Sequence, residues 1–218
     1  MNMFLSEVEK YYSDRIKQHG ITSKGVDWNT EESQNLRFDQ LLKIVDSDQK
    51  EFSVLDYGCG YGALLSHINK IKLNLEIDFF GYDISNEMIL KAKALFLKKS
   101  KATFQNNIPK KKQFDYVIAS GVFNVKLNQD HLVWEQYVLQ EITKLFELSN
   151  KGVALNFLTG YSDKEFQTDK LYYCDPTFLF DYCIKNLSKY AILKTDYQLK
   201  KGVIPFEYTI CVKKRNEN

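Results

Sequence analysis

Apolar positions along this chain recur with two periods that take turns. Short apolar runs of strand length occupy residues 52–55, 77–82, 102–105, 114–119 and 153–158, and most of them stop at an aspartate, asparagine, serine or glycine. The segments between most of them carry apolar residues every three or four positions, the mark of a helix with one buried face. Ahead of the first run, Phe4, Val8, Tyr11, Tyr12 and Ile16 predict a helix to about residue 18. A second helix begins after Thr30, a favourable N-cap with Glu31 and Glu32 in its first turn, and buries Phe38, Leu41, Leu42 and Val45. Later helices are predicted over 63–72 (Leu64, Leu65, Ile68, Ile71) and after a Ser85 cap (Met88, Ile89, Ala92, Leu95, Phe96). Another runs over 129–148 with Leu132, Val133, Tyr137, Val138, Ile142, Leu145 and Phe146 inward. The last follows Asp175 and Pro176 as N-cap and first helical residue, with Phe178, Leu179, Tyr182, Cys183 and Leu187 on its face.

Two final strands, 191–197 and 206–212, are joined by so short a link that they must run antiparallel. Alternation of strand and helix before that hairpin predicts an α/β fold, a doubly wound and mostly parallel sheet. With 218 residues and no low-complexity linker, the chain reads as one domain, 1–218. Residues 1–50 form a helical cap on a core that spans 51–218.

Composition narrows the class of protein. Apolar residues at 44% and charged ones at 27% predict a folded globular chain, and a net charge of +2 is too weak to argue for nucleic acid or membrane. Lys98, Lys99 and Lys101, then Lys110 to Lys112, read as solvated loop charges that could at most form a local basic patch. No signal-peptide core or run of about 18 apolar residues is present, so a cytoplasmic location is expected. Cys59, Cys174, Cys183 and Cys211 have no paired spacing and are expected to be reduced, with no metal site.

The chemistry is concentrated in residues 52–62, FSVLDYGCGYG. Gly58, Gly60 and Gly62 at alternate positions let a ligand lie against bare backbone. Gly58, Gly60 and Ala63 also satisfy a loose dinucleotide pattern, but Asp56 would place a fixed negative charge against a pyrophosphate. S-adenosylmethionine carries an ammonium and a sulfonium instead, and a carboxylate attracts both. An acidic residue at the end of the second strand, Asp83, followed by Ile84, is placed to accept from ribose hydroxyls.

The segment LDYGCGYG resembles the first motif of class I, Rossmann-like S-adenosylmethionine-dependent methyltransferases. Motif-level likeness covers about residues 52–158, and the strand pattern extends it to the C-terminus. Segments GVDWNTEESQNLRF, YYCDP and FEYTICV look like a bacterial subgroup of these enzymes for which no acceptor is implied. The resemblance implies a seven-stranded sheet with the last strand antiparallel and S-adenosyl-L-methionine as cofactor. It places Asn107 where relatives often have an aspartate that reads the adenine amine; a plain turn role for Asn106 and Asn107 is the alternative. Ser120 and the loop SGVFN, with Phe123 and Asn124, are expected where the acceptor meets the methyl group.

Gln34 falls in the middle of an apolar helix face and Arg37 at its edge, so both need partners. Either could reach the methionine end of the cofactor, Arg37 as a bidentate partner of the carboxylate; alternatively Arg37 pairs with an acidic neighbour on the surface. Trp28, in the polar loop HGITSKGVDWN, either packs on the core edge or closes over the ligand as part of a lid from about Gly20 to Phe38. Trp28, Phe123, Tyr161, Tyr172 and Tyr173 would suit a ring or sugar face, although 14 tyrosines make such clustering commonplace here.

Methyl transfer from a sulfonium needs chiefly alignment, which supplies about 7–11 kcal/mol of barrier lowering. His131, His19 and Asp175 are candidate bases, with an exposed helix residue and a plain N-cap as the simpler readings of His131 and Asp175. No Asn-Pro-Pro-Tyr or Pro-Cys motif follows the fourth strand, which argues against base-amine and C5-cytosine acceptors. The expected reaction is O- or N-methylation of a small molecule or saccharide. The alternatives are a tRNA or protein acceptor, or a non-catalytic protein that binds S-adenosylmethionine.

Overall fold

A computed structural model describes residues 3–71, 76–97, 101–199 and 207–214. Helix α1 (Met3–His19), a 3₁₀ turn (Ser23–Val26) and α2 (Glu31–Leu42) precede β1 (Glu51–Tyr57). Then come α3 (Ala63–Lys70), β2 (Glu76–Tyr82), α4 (Asn86–Phe96), β3 (Thr103–Gln105) and β4 (Phe114–Ala119). The chain continues through α5 (His131–Leu148), β5 (Ser149–Thr159), a two-residue β6 (Tyr173–Cys174), α6 (Pro176–Asn186), β7 (Ala191–Lys194) and β8 (Glu207–Lys213).

The main path of the sheet runs β3-β2-β1-β4-β5-β8-β7, with β6 beside the end of β5. β1 to β5 pair in parallel, and β8 inserts antiparallel between β5 and β7. This is the class I methyltransferase sheet, with β6 as a short addition that the apolar pattern does not announce. The strand order reverses at β1 and β4, so the loops that follow these two strands diverge and leave a crevice at their carboxyl ends.

Strict alternation along the strands divides the core between two faces. Leu55, Val117, Leu155 and Ile210 face α1, α5 and α6, meeting Val8, Trp134, Val138, Ile142 and Leu179. Val54, Tyr116, Ala154 and Cys211 face α2, α3 and α4, meeting Phe38, Leu41, Leu64, Leu65, Ile89 and Ala92. Each large side chain buried in this way contributes about 1.5–3 kcal/mol. Thr30, Ser85 and Asp175 cap their helices as expected, each accepting from backbone N–H groups of the first turn.

Several inward assignments are corrected at helix ends. Leu132 (65% exposed) and Val133 (51%) face outward because the stripe of α5 is set by Trp134, Val138, Ile142 and Leu145. Ile71, Leu95 and Phe178 are likewise exposed. Phe206, expected to open the last strand, lies outside the described residues, as do Lys98 and Lys99. All four cysteines are buried and unbridged. Among the described residues, no helix is long and apolar enough to cross a membrane.

Candidate functional site

The crevice is a cavity of about 390 Å³ above the carboxyl ends of β1, β2, β4 and β5, roofed by α1, the 3₁₀ turn and Trp28. Its floor is stitched together by backbone. The Gly58 and Cys59 N–H groups both donate to the Tyr82 carbonyl, at 2.7 and 2.9 Å. Asp83 Oδ2 accepts from Gly60 N (2.9 Å) and its Oδ1 from Ser85 N (2.8 Å). Gly60 has φ +54°, and a Cβ there would stand 2.8 Å from Val26 Cγ1, so the turn and the roof touch because the residue is glycine.

Asp56 is 3% exposed, lines this floor and accepts no hydrogen bond among the described residues. Burial, reinforced by the neighbouring Asp83, pushes its carboxyl up to about 8. Asp83 is raised less, to about 6, because two backbone N–H groups stabilise its charged form against burial. The floor therefore offers one satisfied carboxylate and one that lacks a donor.

A second polar group lies at the ends of β5 and β8. Arg37 donates from Nε to Glu207 Oε2 (2.7 Å) and from Nη2 to Oε1 (2.6 Å), and both side chains are almost wholly buried. Asn156 Nδ2 donates to Glu207 Oε2 (3.1 Å), and Asn156 Oδ1 accepts from Gly121 N (2.7 Å). The Trp28 ring lies 3.9 Å from the Arg37 guanidinium, and a Cβ on Gly121 (φ +69°) would stand 2.3 Å from the same ring. Trp28 is thus clamped between α2 and the loop after β4. Arg37 Nη1 and Ser120 Oγ are buried with no partner among the described residues.

The structure brings Trp28, Gln34, Arg37, Asp56, Gly58, Gly60, Asp83, Ile84, Ser120 and Asn124 to one cavity. Arg37 lines the cavity, but its Nε–Nη2 fork is closed on Glu207, which leaves only Nη1 of the guanidinium without a partner among the described residues. Its partner is acidic, as the alternative held, but buried and 170 residues away rather than a surface neighbour. Gly62 is an N-cap whose Cβ would meet Phe96 at 2.7 Å, so it serves helix packing and does not line the cavity. Asn107 is exposed and outside the cavity lining. Phe123 is turned into the core and stacked on Phe157. Tyr173 stands away from the cavity, its hydroxyl donating to the Phe166 carbonyl.

None of the candidate bases reaches the cavity lining. His131 is half exposed, 3.9 Å from Glu135, and Asp175 caps α6. His19 lies in the last turn of α1. Glu207 and Asn156 were missed, although a glutamate opening the EYTICV strand and an asparagine between Leu155 and Phe157 each imply a buried partner. Leu5, Val8 and Tyr12 of α1 also line the cavity, which the periodicity of α1 alone does not announce.

Residues 48–173 match the family described as a methyltransferase domain. A Mycobacterium tuberculosis protein, Rv1506c, whose name gives the class methyltransferase and no acceptor, is 37% identical over 173 residues, covering 79% of this chain and 99% of its own. Among solved structures, magnesium protoporphyrin IX methyltransferase from Synechocystis PCC 6803, with bound S-adenosylmethionine, superposes with a TM-score of 0.65 at 16% identity over 96% of each chain. Human N-acetylserotonin methyltransferase, also with S-adenosylmethionine, gives 0.63 at 14% identity, over 99% of this chain and 60% of its own.

Proposed function

The chain belongs to the class I S-adenosylmethionine-dependent methyltransferases, and from that premise we propose that it methylates an oxygen or nitrogen of a small molecule. The donor set suits this cofactor. Asp56, a buried carboxylate with no protein donor, is the observation that carries the reading, since a cationic ligand supplies what it lacks. Gly58 and Gly60 leave bare backbone beside it, and this reading assigns Asp83 with Ile84 to the ribose side. Gln34, buried and lining the cavity, is assigned in this reading to the methionine end, and Ser120 to the boundary with the acceptor.

When bound, the cofactor supplies an activated methyl group on a sulfonium. The chain's own residues bind it, hold the acceptor in line and exclude water; α1 and Trp28 serve the last purpose. A cavity of about 390 Å³ falls at the low end of small-molecule sites, roughly 300–1,000 Å³, and leaves little room for a macromolecule to enter. Leu5, Val8, Val125, Trp134, Leu158 and Leu171 make its acceptor side apolar, which suits a small organic molecule better than a saccharide.

Titration calorimetry tests the reading. S-adenosylmethionine is expected to bind in the micromolar range and NADH far more weakly, and Asp56→Asn should lose most of the affinity. Tight NADH binding without S-adenosylmethionine binding would refute it.

A further inference from the structure

The proton inventory of the cavity goes further than the methyltransferase reading, on which it rests. A hydroxyl or an alkylammonium acceptor has to lose a proton to a base, whereas a carboxylate has a free lone pair at neutral pH. Four acidic side chains line the cavity, and three of them are held by partners within the chain. Glu207 holds Arg37 and Asn156, Asp83 holds Gly60 N and Ser85 N, and Asp27 holds Arg15 (2.5 Å) and the Tyr11 hydroxyl (2.7 Å). The fourth, Asp56, is the group that the proposed function assigns to the cationic end of the donor. No histidine lines the cavity among the described residues. Burial pushes Tyr12, Tyr57, Tyr82, Tyr137 and Cys59 upward, which keeps them protonated. The sequence 200–206, which leads into β8, contains no acidic residue or histidine.

What the acceptor side does present is donors. Leu158 N–H donates to Asn124 Oδ1 (3.4 Å), and an N–H accepts nothing, so the amide orientation is forced and Asn124 Nδ2 is left over. Asn124 is 5% exposed, lines the cavity, and its Nδ2 has no partner among the described residues. Ser120, whose Oγ is also unpartnered, lines the same cavity.

We propose that the acceptor is the carboxylate of a small apolar organic acid, oriented by Asn124 Nδ2 and Ser120 Oγ, and that the product is its methyl ester. The carboxylate oxygen gives its electron pair to form the O–CH3 bond as the CH3–S bond breaks. That bonding pair goes to sulfur, which becomes a neutral thioether, and no proton is transferred. That no cavity-lining group among the described residues is free to act as a base then fits the substrate.

The test uses the full chain and methyl-labelled S-adenosylmethionine with benzoate, phenylacetate and hexanoate, beside phenol, benzyl alcohol and benzylamine. Label is expected on the acids alone and should leave as methanol under mild base. Asn124→Asp, which keeps the Leu158 contact but sets a charge against the acid, should raise the acceptor KM tenfold or more with cofactor affinity unchanged. A base-stable methyl product from phenol or benzylamine, no labelled acid while the cofactor binds, or an unchanged KM in Asn124→Asp would each overturn the carboxylate assignment and leave the methyltransferase reading intact. Failure of S-adenosylmethionine to bind would overturn both.

Discussion

A carboxyl group without a donor costs least when it is neutral, and Asp56 stands in that state until the pH approaches 8. An unfolded aspartate ionises near 3.9. Between about pH 4 and 8 the folded chain therefore holds a proton that the unfolded chain has released, and this group lowers stability as pH rises through that window. Two outcomes follow. Binding of the cationic cofactor at pH 7 should expel close to one proton, read as a calorimetric enthalpy that changes with the ionisation enthalpy of the buffer. Asp56→Asn should lose cofactor binding yet raise the apo melting temperature at pH 8, at about 2–4 °C per kcal/mol recovered. A melting temperature that falls in the variant would mean that Asp56 has a stabilising partner.

Among the elements, α2 and β8 are joined by a buried ion pair. Arg37–Glu207 is enclosed by Trp28 above and by Asn156 beside it, so its charges cannot turn to water. Removing one partner of such a pair costs about 3–5 kcal/mol because the other charge is stranded, while replacing both with apolar residues is often nearly neutral. Urea denaturation should accordingly show a large loss for Glu207→Ala and a much smaller one for Arg37→Met combined with Glu207→Leu. Equal losses would assign the stabilisation to the salt bridge itself. The same elements fix the roof, since a Cβ on Gly121 would stand 2.3 Å from the Trp28 ring.

For the whole molecule, the N-terminal segment is part of the core as well as a cover. Val8 and Ile16 are buried at 5% and 1%, and Phe4 packs edge-on against Trp134 and Tyr137. A chain without residues 1–28 would therefore expose Trp134 and the floor of the cavity, a larger effect than the loss of a detachable lid. Such a truncation is expected to lose cofactor binding, melt at lower temperature and bind a hydrophobic dye. An unchanged melting temperature would show that α1 contributes only cover.

The sequence by itself determined the elements and the floor of the site, because both are local. Asp56 in the last two residues of β1, a turn that needs glycine at 58 and 60, and an acidic residue at position 83 just after β2 are each specified within a few residues. Pairing in parallel and the reversal at β1 and β4 then bring those positions together. Tertiary structure alone decided which way the loop and edge residues turn. Phe123 goes to the core and Asn124, one position on, to the cavity, because the backbone after Gly121 leaves the strand and periodicity no longer applies. Arg37 finds Glu207 across 170 residues, and no local pattern can name a partner that far away. Gly62 shares its spacing with Gly58 and Gly60 yet serves Phe96 and Phe104, because what a bare backbone admits depends on what the rest of the fold sets against it.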